Sequence, residues 1–451
     1  MREIGIVVSG VTIGSIPVQI YRVAERHALE EQLVGVVDRE RGDEIIVGFL
    51  RRITKLEPVI KDKVRTPYVD KPEMMDQGVL LPYTSAIVKP YVSIKGGKVC
   101  EVSHVATPGS RVYLLDSSTL QDVFLGDYSH VGFHKYSLWP LPLDISYVTH
   151  HVGVFGATGM GKSRLVRALI NELASRGYKV VVFDHTGVDY ASHYPTVVRS
   201  SEVKIPPNVL ASVLAKVTQL SWQTYGDYLE IATMTYESSW SKKSFIDHVR
   251  GTMRRLGARD ATVQKMELYL RLIDDAFFEE LNNRTKTPRD ILSIENTPVV
   301  VDLSYDTDLS VKQAIVATVI EAAWEEVKRQ KTQKKTVFVI DEAQNYAPQS
   351  WTISKDAIET TVREGRKWGL SIILASQRIV GDIDPSIRAN LGTIFFSRLS
   401  APTDLREIST YLDLADVNES VLAQLQPREF FVSGLMNPLR KPILIKVRDV
   451  E

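Results

Sequence analysis

One octapeptide constrains this chain more than any other feature. Residues Gly156–Ser163 read GATGMGKS and fit the pattern G-x-x-x-x-G-K-[ST]. The apolar run His151–Phe155 precedes it with β character, and residues 164–173 follow with helical spacing. A strand, a glycine-rich turn and a helix N-terminus form a cradle for phosphate oxygens, because backbone N–H groups turn inward and the helix dipole adds positive potential. The sequence therefore predicts a nucleotide-binding loop.

The residues of this loop have separate expected roles. Lys162 is expected to reach the β- and γ-phosphates, and Ser163 to hold Mg²⁺. ATP and Mg²⁺ are therefore the predicted ligand and cofactor. The predicted nucleotide-binding residues are Gly156, Thr158, Gly159, Gly161, Lys162, Ser163 and Arg164.

Composition limits the class of protein. The 451 residues include 55 Lys+Arg and 55 Asp+Glu, so the formal net charge is zero and no overall basic character indicates nucleic acid. A basic stripe or pore on a neutral body stays possible. The single cysteine, Cys100, excludes an internal disulfide framework and fits a reducing compartment. No apolar run approaches the roughly 18–20 residues that span a bilayer, and the N-terminus lacks a signal-peptide pattern. We expect a cytoplasmic protein without a membrane segment.

The N-terminal part, residues 1–125, has the pattern of a small β-barrel or sandwich. Short β-rich runs separated by turn residues indicate this class, and the stretch from about 59 to 79 reads as a loop or insertion. A linker is expected at 126–150. The predicted strands are Ile4–Val8, Val18–Tyr21, Leu33–Val37, Glu44–Leu50 and Arg111–Leu115.

From residue 151 onward, strands alternate with helices, which predicts a mainly parallel sheet covered by helices. The core is expected in two parts, 151–205 and 293–451, the second with a C-terminal extension of β character. Residues 206–292 are polar and helical, and they are too many for a plain crossover, so they predict a helical insertion. The predicted strands are Val152–Phe155, Lys179–Phe183, Val299–Leu303, Val337–Ile340, Ser371–Ala375 and Thr393–Phe396.

Two acids follow one of these strands. Asp341 is expected to bind Mg²⁺ next to Ser163, and Glu342 to activate the attacking water as a general base. Many ordinary strands also end in acids, so the pattern gains its meaning from the phosphate loop. Gln377 follows the next strand and is the candidate sensor of the γ-phosphate. Its alternative role is to satisfy nearby backbone groups.

Arginines near the sheet are candidates for a catalytic finger supplied to a neighbouring subunit. Arg366, in the charged segment 363–367, is the favoured candidate, with Arg363, Arg378 and Arg398 as alternatives. The competing interpretation is a solvated face with salt bridges. A finger in trans contributes roughly 10³–10⁵ in rate.

Two other polar segments have open roles. An acid in the stretch Asp184–Tyr190 could contact the magnesium shell or the catalytic water, or the stretch could be an ordinary capped turn. His150 and His151 precede the first strand of the core, and we expect a structural role for them because no further ligands complete a metal set.

Taken in order, these motifs resemble the HerA family of the HerA/FtsK branch of RecA-like motor ATPases. The resemblance covers most of the chain and implies a RecA-like P-loop core behind a small β-barrel. Only the phosphate loop is specific by itself. The supporting segments are Gly156–Ser163, Val182–Asp184, Val301–Ser304, Asp341–Gln344, Arg363–Leu370, Ser376–Arg378 and Lys446–Arg448.

The resemblance also implies an activity and partners. Members are hexameric rings that thread double-stranded DNA and hydrolyse ATP between subunits. They act with the nuclease NurA in archaeal DNA end resection, beside Mre11–Rad50. The resemblance assigns phosphate and Mg²⁺ binding to Lys162 and Ser163, Mg²⁺ binding to Asp341, and water activation to Glu342. It also assigns sensing of the γ-phosphate to Gln377 and the role of the arginine finger to Arg366.

The chain departs from the family pattern in three places. The family usually has Asp-Pro-His-Gly-Glu-Tyr after its second strand, where Asp184–Tyr190 is one residue longer. This leaves open whether Asp189 replaces the family's Glu. His150 stands where the family often has Arg, and Gln426–Glu429 replaces a more usual glycine-containing turn.

Basic loop residues are candidates for DNA contact in a pore, namely Lys242, Lys243 and Lys355. Ordinary solvated lysines are the alternative. Binding through phosphates would be independent of sequence and would weaken steeply with salt. Two other functions stay open, a ring ATPase that moves a protein substrate and a nucleotide-gated interaction platform.

Overall fold

A computed structural model of the chain describes residues 1–57, 69–70, 82–121, 124, 128–129, 131–330, 335–399 and 401–449. Most of the loop or insertion expected at about 59–79 lies outside these residues. The described chain forms two compact units. The first comprises Met1–Asp144, Leu412–Val421 and Glu429–Arg448, and the second comprises Ile145–Tyr411, Leu422–Arg428 and Asp449–Glu451.

The strands follow the apolar runs of the sequence. In chain order they are β1 (Arg2–Val7), β2 (Ile16–Ile20), β3 (Leu33–Val37), β4 (Glu44–Leu56), β5 (Tyr83–Lys95), β6 (Lys98–Cys100), β7 (Arg111–Leu114), β8 (Gly132–His134), β9 (Val152–Phe155), β10 (Lys179–Asp184), β11 (Val197–Arg199), β12 (Val299–Asp302), β13 (Thr336–Ile340), β14 (Leu370–Ser376), β15 (Thr393–Phe396), β16 (Glu429–Gly434) and β17 (Ile443–Val447).

Most of the helices lie in the second unit. In chain order they are α1 (Ser117–Gln121), α2 (Lys162–Ser175), α3 (Pro207–Val217), α4 (Trp222–Met234), α5 (Lys242–Arg255), α6 (Asp260–Arg271), α7 (Asp275–Asn283), α8 (Pro288–Ser293), α9 (Leu309–Gln330), α10 (Lys355–Glu364), α11 (Pro385–Arg388), α12 (Pro402–Tyr411) and α13 (Glu419–Ala423). Among the described residues, no helix combines the length and apolar character needed to cross a bilayer.

The first unit contains a closed barrel of six antiparallel strands. Their order is β2-β1-β7-β3-β4-β5, and β5 pairs back with β2. Apolar side chains such as Ile4, Val34, Ile46 and Val112 are buried in its core. Short β-rich runs separated by turn residues are the pattern from which the barrel was predicted. In the same unit, β16, β17 and β8 form an antiparallel group of three.

The long strand β5 was not among the predicted strands. Pro90 lies in its middle, and proline normally excludes a central strand. The structure places Pro90 at a bulge, where the partner of Val47 is Val92 and the partner of Gly48 is Pro90. Tyr91 is the extra residue on β5. A Cβ on Gly48 would lie only 2.2 Å from the Lys89 carbonyl oxygen, so glycine is required at this close approach.

The second unit contains a parallel sheet of order β11-β12-β10-β13-β14-β9-β15. Strands β9, β10 and β12–β15 are buried along their whole length, as expected for a parallel sheet with helices on both faces. The six predicted strands are all present, and β11 is additional. Because the strands are parallel, their carboxyl ends meet at one edge, with β14 between β9 and β13.

Helices α3–α8 lie between β11 and β12 in the chain, where a helical insertion was predicted. They bury apolar side chains of their own, including Leu229, Phe245, Val249, Met266 and Phe278. The mainly parallel sheet, the small barrel and the helical insertion therefore all appear in the structure.

Candidate nucleotide-binding site

The phosphate loop joins the end of β9 to the start of α2. Gly159 and Gly161 have φ angles of 79° and 89°, a left-handed conformation that glycine adopts without strain. Gly161 is the N-cap of α2, and Lys162 is its first residue. Gly156 is buried and Thr158 is exposed at the surface of the loop. The loop therefore has the backbone conformation that the motif requires.

The Lys162 side chain lies inside the loop. Its Nζ donates hydrogen bonds to the carbonyl oxygens of Gly156 (2.8 Å) and Ala157 (3.4 Å). Burial lowers the pKa of Lys162, while the carboxylates of Glu342, Asp341 and Asp189 act in the opposite direction. The lysine is thus close to three acids that come from two separate loops.

Asp341 directly follows β13, at the edge of the sheet where the phosphate loop lies. It is 4% exposed, and its pKa is raised to about 8, first by burial and then by the negative charges of Glu342 and Asp189. Ionised carboxylates that are buried near one another repel, and a divalent cation relieves this repulsion. The electrostatics of Asp341 therefore fit a cation-binding role.

The oxygen donors near Asp341 fit Mg²⁺. This ion is usually held by one or two carboxylates together with phosphate oxygens and waters, and Ser163 and Asp341 supply a hydroxyl and a carboxylate. Tyr190 is fully buried, and its hydroxyl interacts with the Ser163 side chain.

Glu342 has an unusual backbone conformation for a non-glycine residue. Its φ and ψ angles are 47° and 49°, in the left-handed region, where strain often marks a functional position. The Gln344 side-chain amide donates a hydrogen bond to the Glu342 carboxylate. The Ser376 hydroxyl lies 2.9 Å from both Gln344 Oε1 and the Asp382 carboxylate, and it donates to one of them at a time. The carboxylate is therefore oriented by a side-chain network that begins at the end of β14.

Gln377 follows β14, which lies between the strand of the phosphate loop and the strand that ends at Asp341. Its neighbour Ser376 pairs with Phe155, and the Gly156 N–H donates to the Ser376 carbonyl oxygen at 3.4 Å. Gln377 is half-buried at this edge. It is thus placed between the phosphate loop and the acids.

The loop after β10 separates two acids with different roles. Asp184 is fully buried, and its carboxylate accepts hydrogen bonds from the backbone N–H groups of Gly187 (3.0 Å), Tyr190 (2.9 Å) and Ala191 (3.0 Å). It therefore organises the loop. Asp189 is half-buried and electrostatically coupled to Lys162 and Asp341, so it is the acid of this loop that faces the site.

The structure does not bring Arg366 to the phosphate loop of its own chain. Arg366 lies in a 3₁₀ turn, Gly365–Trp368, immediately before β14, whereas Gln377 follows the other end of this strand. Seven residues of parallel strand span roughly 20 Å, which is far beyond the reach of one arginine side chain. Arg366 is exposed, and no described acid forms an ion pair with it.

The three alternative arginines all have partners. Arg363 pairs with Glu359 at 3.6 Å, one turn away on the same helix. Arg378 lies 3.8 Å from the Asp404 carboxylate. Arg398 donates to the Leu425 carbonyl oxygen at 2.9 Å.

Comparison with known proteins shows similarity to HerA helicases. The model of the "Helicase HerA, central domain" family matches residues 129–323. The chain is 24% identical over 447 residues to the DNA double-strand break repair helicase HerA of Sulfurisphaera tokodaii, a match that covers 92% of this chain and 88% of that protein. The chain is therefore similar to HerA helicases over most of its length.

Solved structures show the fold of this chain. VirB4 of Thermoanaerobacter pseudethanolicus matches with a TM-score of 0.55 at 17% identity, over 72% of this chain and 98% of that chain. The plasmid coupling protein TrwB in complex with ADP and Mg²⁺ matches with a TM-score of 0.53 at 16% identity, over 75% and 93%. The chain therefore has the fold of the P-loop ATPases.

His150 and His151 precede β9, and His151 is the more deeply buried of the two. His151 is 2% exposed, and its Nδ1 accepts a hydrogen bond from the Ile372 N–H at 3.2 Å. Burial lowers the pKa of His151 to about 4. This histidine is thus a neutral structural residue, as expected from the sequence.

The lysines that the sequence indicated as candidates for DNA contact form ion pairs or hydrogen bonds in part. Lys355 pairs with Asp384 at 2.7 Å and donates to the Gln349 carbonyl oxygen at 2.8 Å. Lys242 lies 3.8 Å from Asp275, and Lys243 is exposed. The engagement of Lys355 favours a structural role for it over contact with DNA.

Sequence reasoning did not predict two parts of the site. Gln344 contacts Glu342, and a polar residue two positions after the acids was a signal that could have indicated it. Arg428 and Asp449 lie against the phosphate loop and its helix, although each is more than 250 residues away from the loop in the chain. No local pattern indicates such a contact.

Proposed function

We propose that this HerA-family ATPase is a motor that moves along double-stranded DNA by hydrolysing ATP. The observation that carries the proposal is the set of side chains at one edge of the parallel sheet. Lys162 and Ser163 come from the phosphate loop, Asp341 and Glu342 follow β13, and Gln377 follows the strand between them. Phosphate binding, cation binding and a base are therefore available together.

Each of these residues has a role in the proposed hydrolysis. Lys162 binds the phosphates, and Ser163 and Asp341 hold Mg²⁺, which when bound neutralises phosphate charge. Glu342 orients and deprotonates the attacking water, since it follows the cation ligand directly and is itself held by Gln344. Gln377 contacts the γ-phosphate, and the coupling of its strand to Glu342 through Ser376 supports a sensor role.

We further propose that the working form is a homohexameric ring in which Arg366 completes the site of the next subunit. The support is its position one strand length from its own phosphate loop, without a described acidic partner. A repeated head-to-tail interface that closes produces a ring. Native mass spectrometry with ATP and Mg²⁺ tests the number of subunits.

The proposed substrate is duplex DNA, bound without sequence preference. The relative from Sulfurisphaera tokodaii is named a DNA double-strand break repair helicase. From the resemblance, the proposed process is DNA end resection with a NurA-type nuclease, beside Mre11–Rad50. Co-elution of the purified chain with such a nuclease in gel filtration tests this partner.

Displacement of a triplex-forming oligonucleotide from linear duplex DNA tests translocation directly. We expect release that requires ATP and Mg²⁺, is lost in Glu342→Gln, and slows as salt increases, because phosphate contacts weaken with salt. Release without hydrolysis, or hydrolysis without release, would refute translocation on duplex DNA.

A further inference from the structure

Arg428 packs against the outside of the phosphate loop. Its backbone N–H donates to the Met160 carbonyl oxygen at 2.8 Å. A Cβ atom on Gly161 would lie 3.3 Å from Arg428 Cγ and 3.5 Å from its backbone nitrogen. Arg428 is therefore held in place against the loop, and this contact comes from outside the motif.

The backbone of Arg428 is held in a strained conformation. Its φ angle is 73°, in the left-handed region that favours glycine. The chain nevertheless has a long charged side chain at this position. Strain of this kind persists where the surrounding contacts fix the residue, and it concentrates at functional sites.

The guanidinium of Arg428 converges with that of Arg164 on one carboxylate. Asp449 Oδ1 accepts a hydrogen bond from Arg164 Nη1 at 2.9 Å and another from Arg428 Nη1. The Asp449 side chain is 77% exposed. Two cations thus share one oxygen of a solvent-accessible, monovalent anion, and this arrangement leaves net positive charge beside the loop.

The position of this pair relative to Lys162 indicates which part of a nucleotide it can reach. Arg164 is two residues after Lys162 in the first turn of α2, so the two side chains leave the helix about 200° apart. Lys162 is coupled to Asp341 and Glu342, on the side of the γ-phosphate. Arg164 and Arg428 therefore lie on the side where the nucleoside end of ATP must enter.

We propose that Arg164 and Arg428 form a second phosphate clamp, which binds the nucleoside-proximal phosphate and which Asp449 occupies until nucleotide displaces it. This inference rests on the proposed nucleotide site. The clamp adds two guanidinium groups to the lysine of the loop, and guanidinium matches phosphate geometry well. Asp449 is a built-in competitor that lowers the affinity for nucleotide and is released when the nucleotide binds.

Binding of a fluorescent ADP analogue to the full chain tests the clamp. Asp449→Asn removes the competing charge, so we expect binding to tighten roughly two- to fivefold, the range of an exposed ion pair. Arg428→Gly relaxes the backbone and removes the guanidinium, and we expect binding roughly tenfold weaker, as for one charge-assisted hydrogen bond. Arg428→Lys should recover part of this loss.

The double variant Arg428→Gly/Asp449→Asn separates the clamp from a purely structural contact. With the clamp broken, removing Asp449 should no longer tighten binding. If Asp449 only fastened the chain to the loop, Asp449→Asn would lower the melting temperature and weaken or leave unchanged the affinity for ADP. That result would overturn the proposal.

Lys162→Ala distinguishes failure of the clamp from failure of the nucleotide site. If the wild-type chain does not bind ADP, both proposals fail. If wild-type binding is lost in Lys162→Ala but does not respond to Asp449→Asn, the nucleotide site stands and the clamp fails. Adenosine without phosphate should bind equally to the wild type and Arg428→Gly, because the clamp contacts phosphate alone, and a difference there would also overturn it.

Discussion

Mixing two inactive variants tests whether a neighbouring subunit completes the nucleotide site. Lys162→Ala removes the phosphate-binding lysine but keeps Arg366, and Arg366→Ala keeps the phosphate loop but removes the finger. We expect each variant alone to hydrolyse ATP very slowly, because a trans arginine contributes roughly 10³–10⁵ in rate. Activity should return when the two variants share a ring.

The geometry sets the size of the recovery. Arg366 lies roughly 20 Å from its own loop along β14, so an active interface needs the loop of an Arg366→Ala subunit facing the finger of a Lys162→Ala neighbour. When equal amounts assemble at random into closed rings with one type of interface, about a quarter of the interfaces meet this condition. With independent sites, we expect this fraction of wild-type turnover.

The assay is a steady-state ATP hydrolysis measurement with linear duplex DNA, after subunit exchange that native mass spectrometry of tagged copies verifies. Lys162→Ala mixed with the double variant Lys162→Ala/Arg366→Ala is the matched control and should stay inactive. If verified mixed rings hydrolyse ATP no faster than the parent variants, the trans role of Arg366 is refuted.

Three further predictions each concern a single residue. Since the pKa of His151 is about 4 in the folded chain and about 6.5 when unfolded, the unfolded state binds more protons between these values. Titration of His151 should therefore lower the free energy of unfolding by about 2 kcal/mol as the pH falls from 7 to 5. Denaturant unfolding should show that this free energy depends less on pH in His151→Asn than in the wild type. Gly161→Ala should destabilise by about 1–2 kcal/mol, whereas Gly42→Ala, at an ordinary φ in open space, should leave the melting temperature unchanged. Asp341→Asn removes a buried acid opposed by three neighbouring carboxylates. It should raise the melting temperature without nucleotide and reduce the increase that Mg–ATP gives the wild type.

The parallel core was predictable from sequence because its strands are buried on both faces. Such strands read as unbroken apolar runs, and Val152–Phe155 and Thr393–Phe396 were predicted with the bounds that the structure has. The phosphate loop was predictable because its chemistry requires glycines and a lysine at fixed spacing. Its strand and helix both lie where the sequence placed them.

Other features depend on contacts that sequence does not display. Pro90 makes β5 difficult to predict from sequence, since only the pairing with β4 shows that this proline lies at a bulge. Asp184 and Asp189 have the same side chain. Only the fold shows that backbone N–H groups donate hydrogen bonds to the Asp184 carboxylate. The contact of Arg428 with Gly161 joins residues far apart in the chain, so no local periodicity encodes it.

The measurement that tests the central claim most directly is steady-state ATP hydrolysis with and without linear double-stranded DNA, at low and moderate salt. A motor on duplex DNA predicts clear stimulation by DNA, a decrease of this stimulation with salt, and its loss in Glu342→Gln, which should still bind ATP. Hydrolysis that is the same with and without DNA at both salt concentrations would contradict the account and would indicate a motor that acts on another substrate.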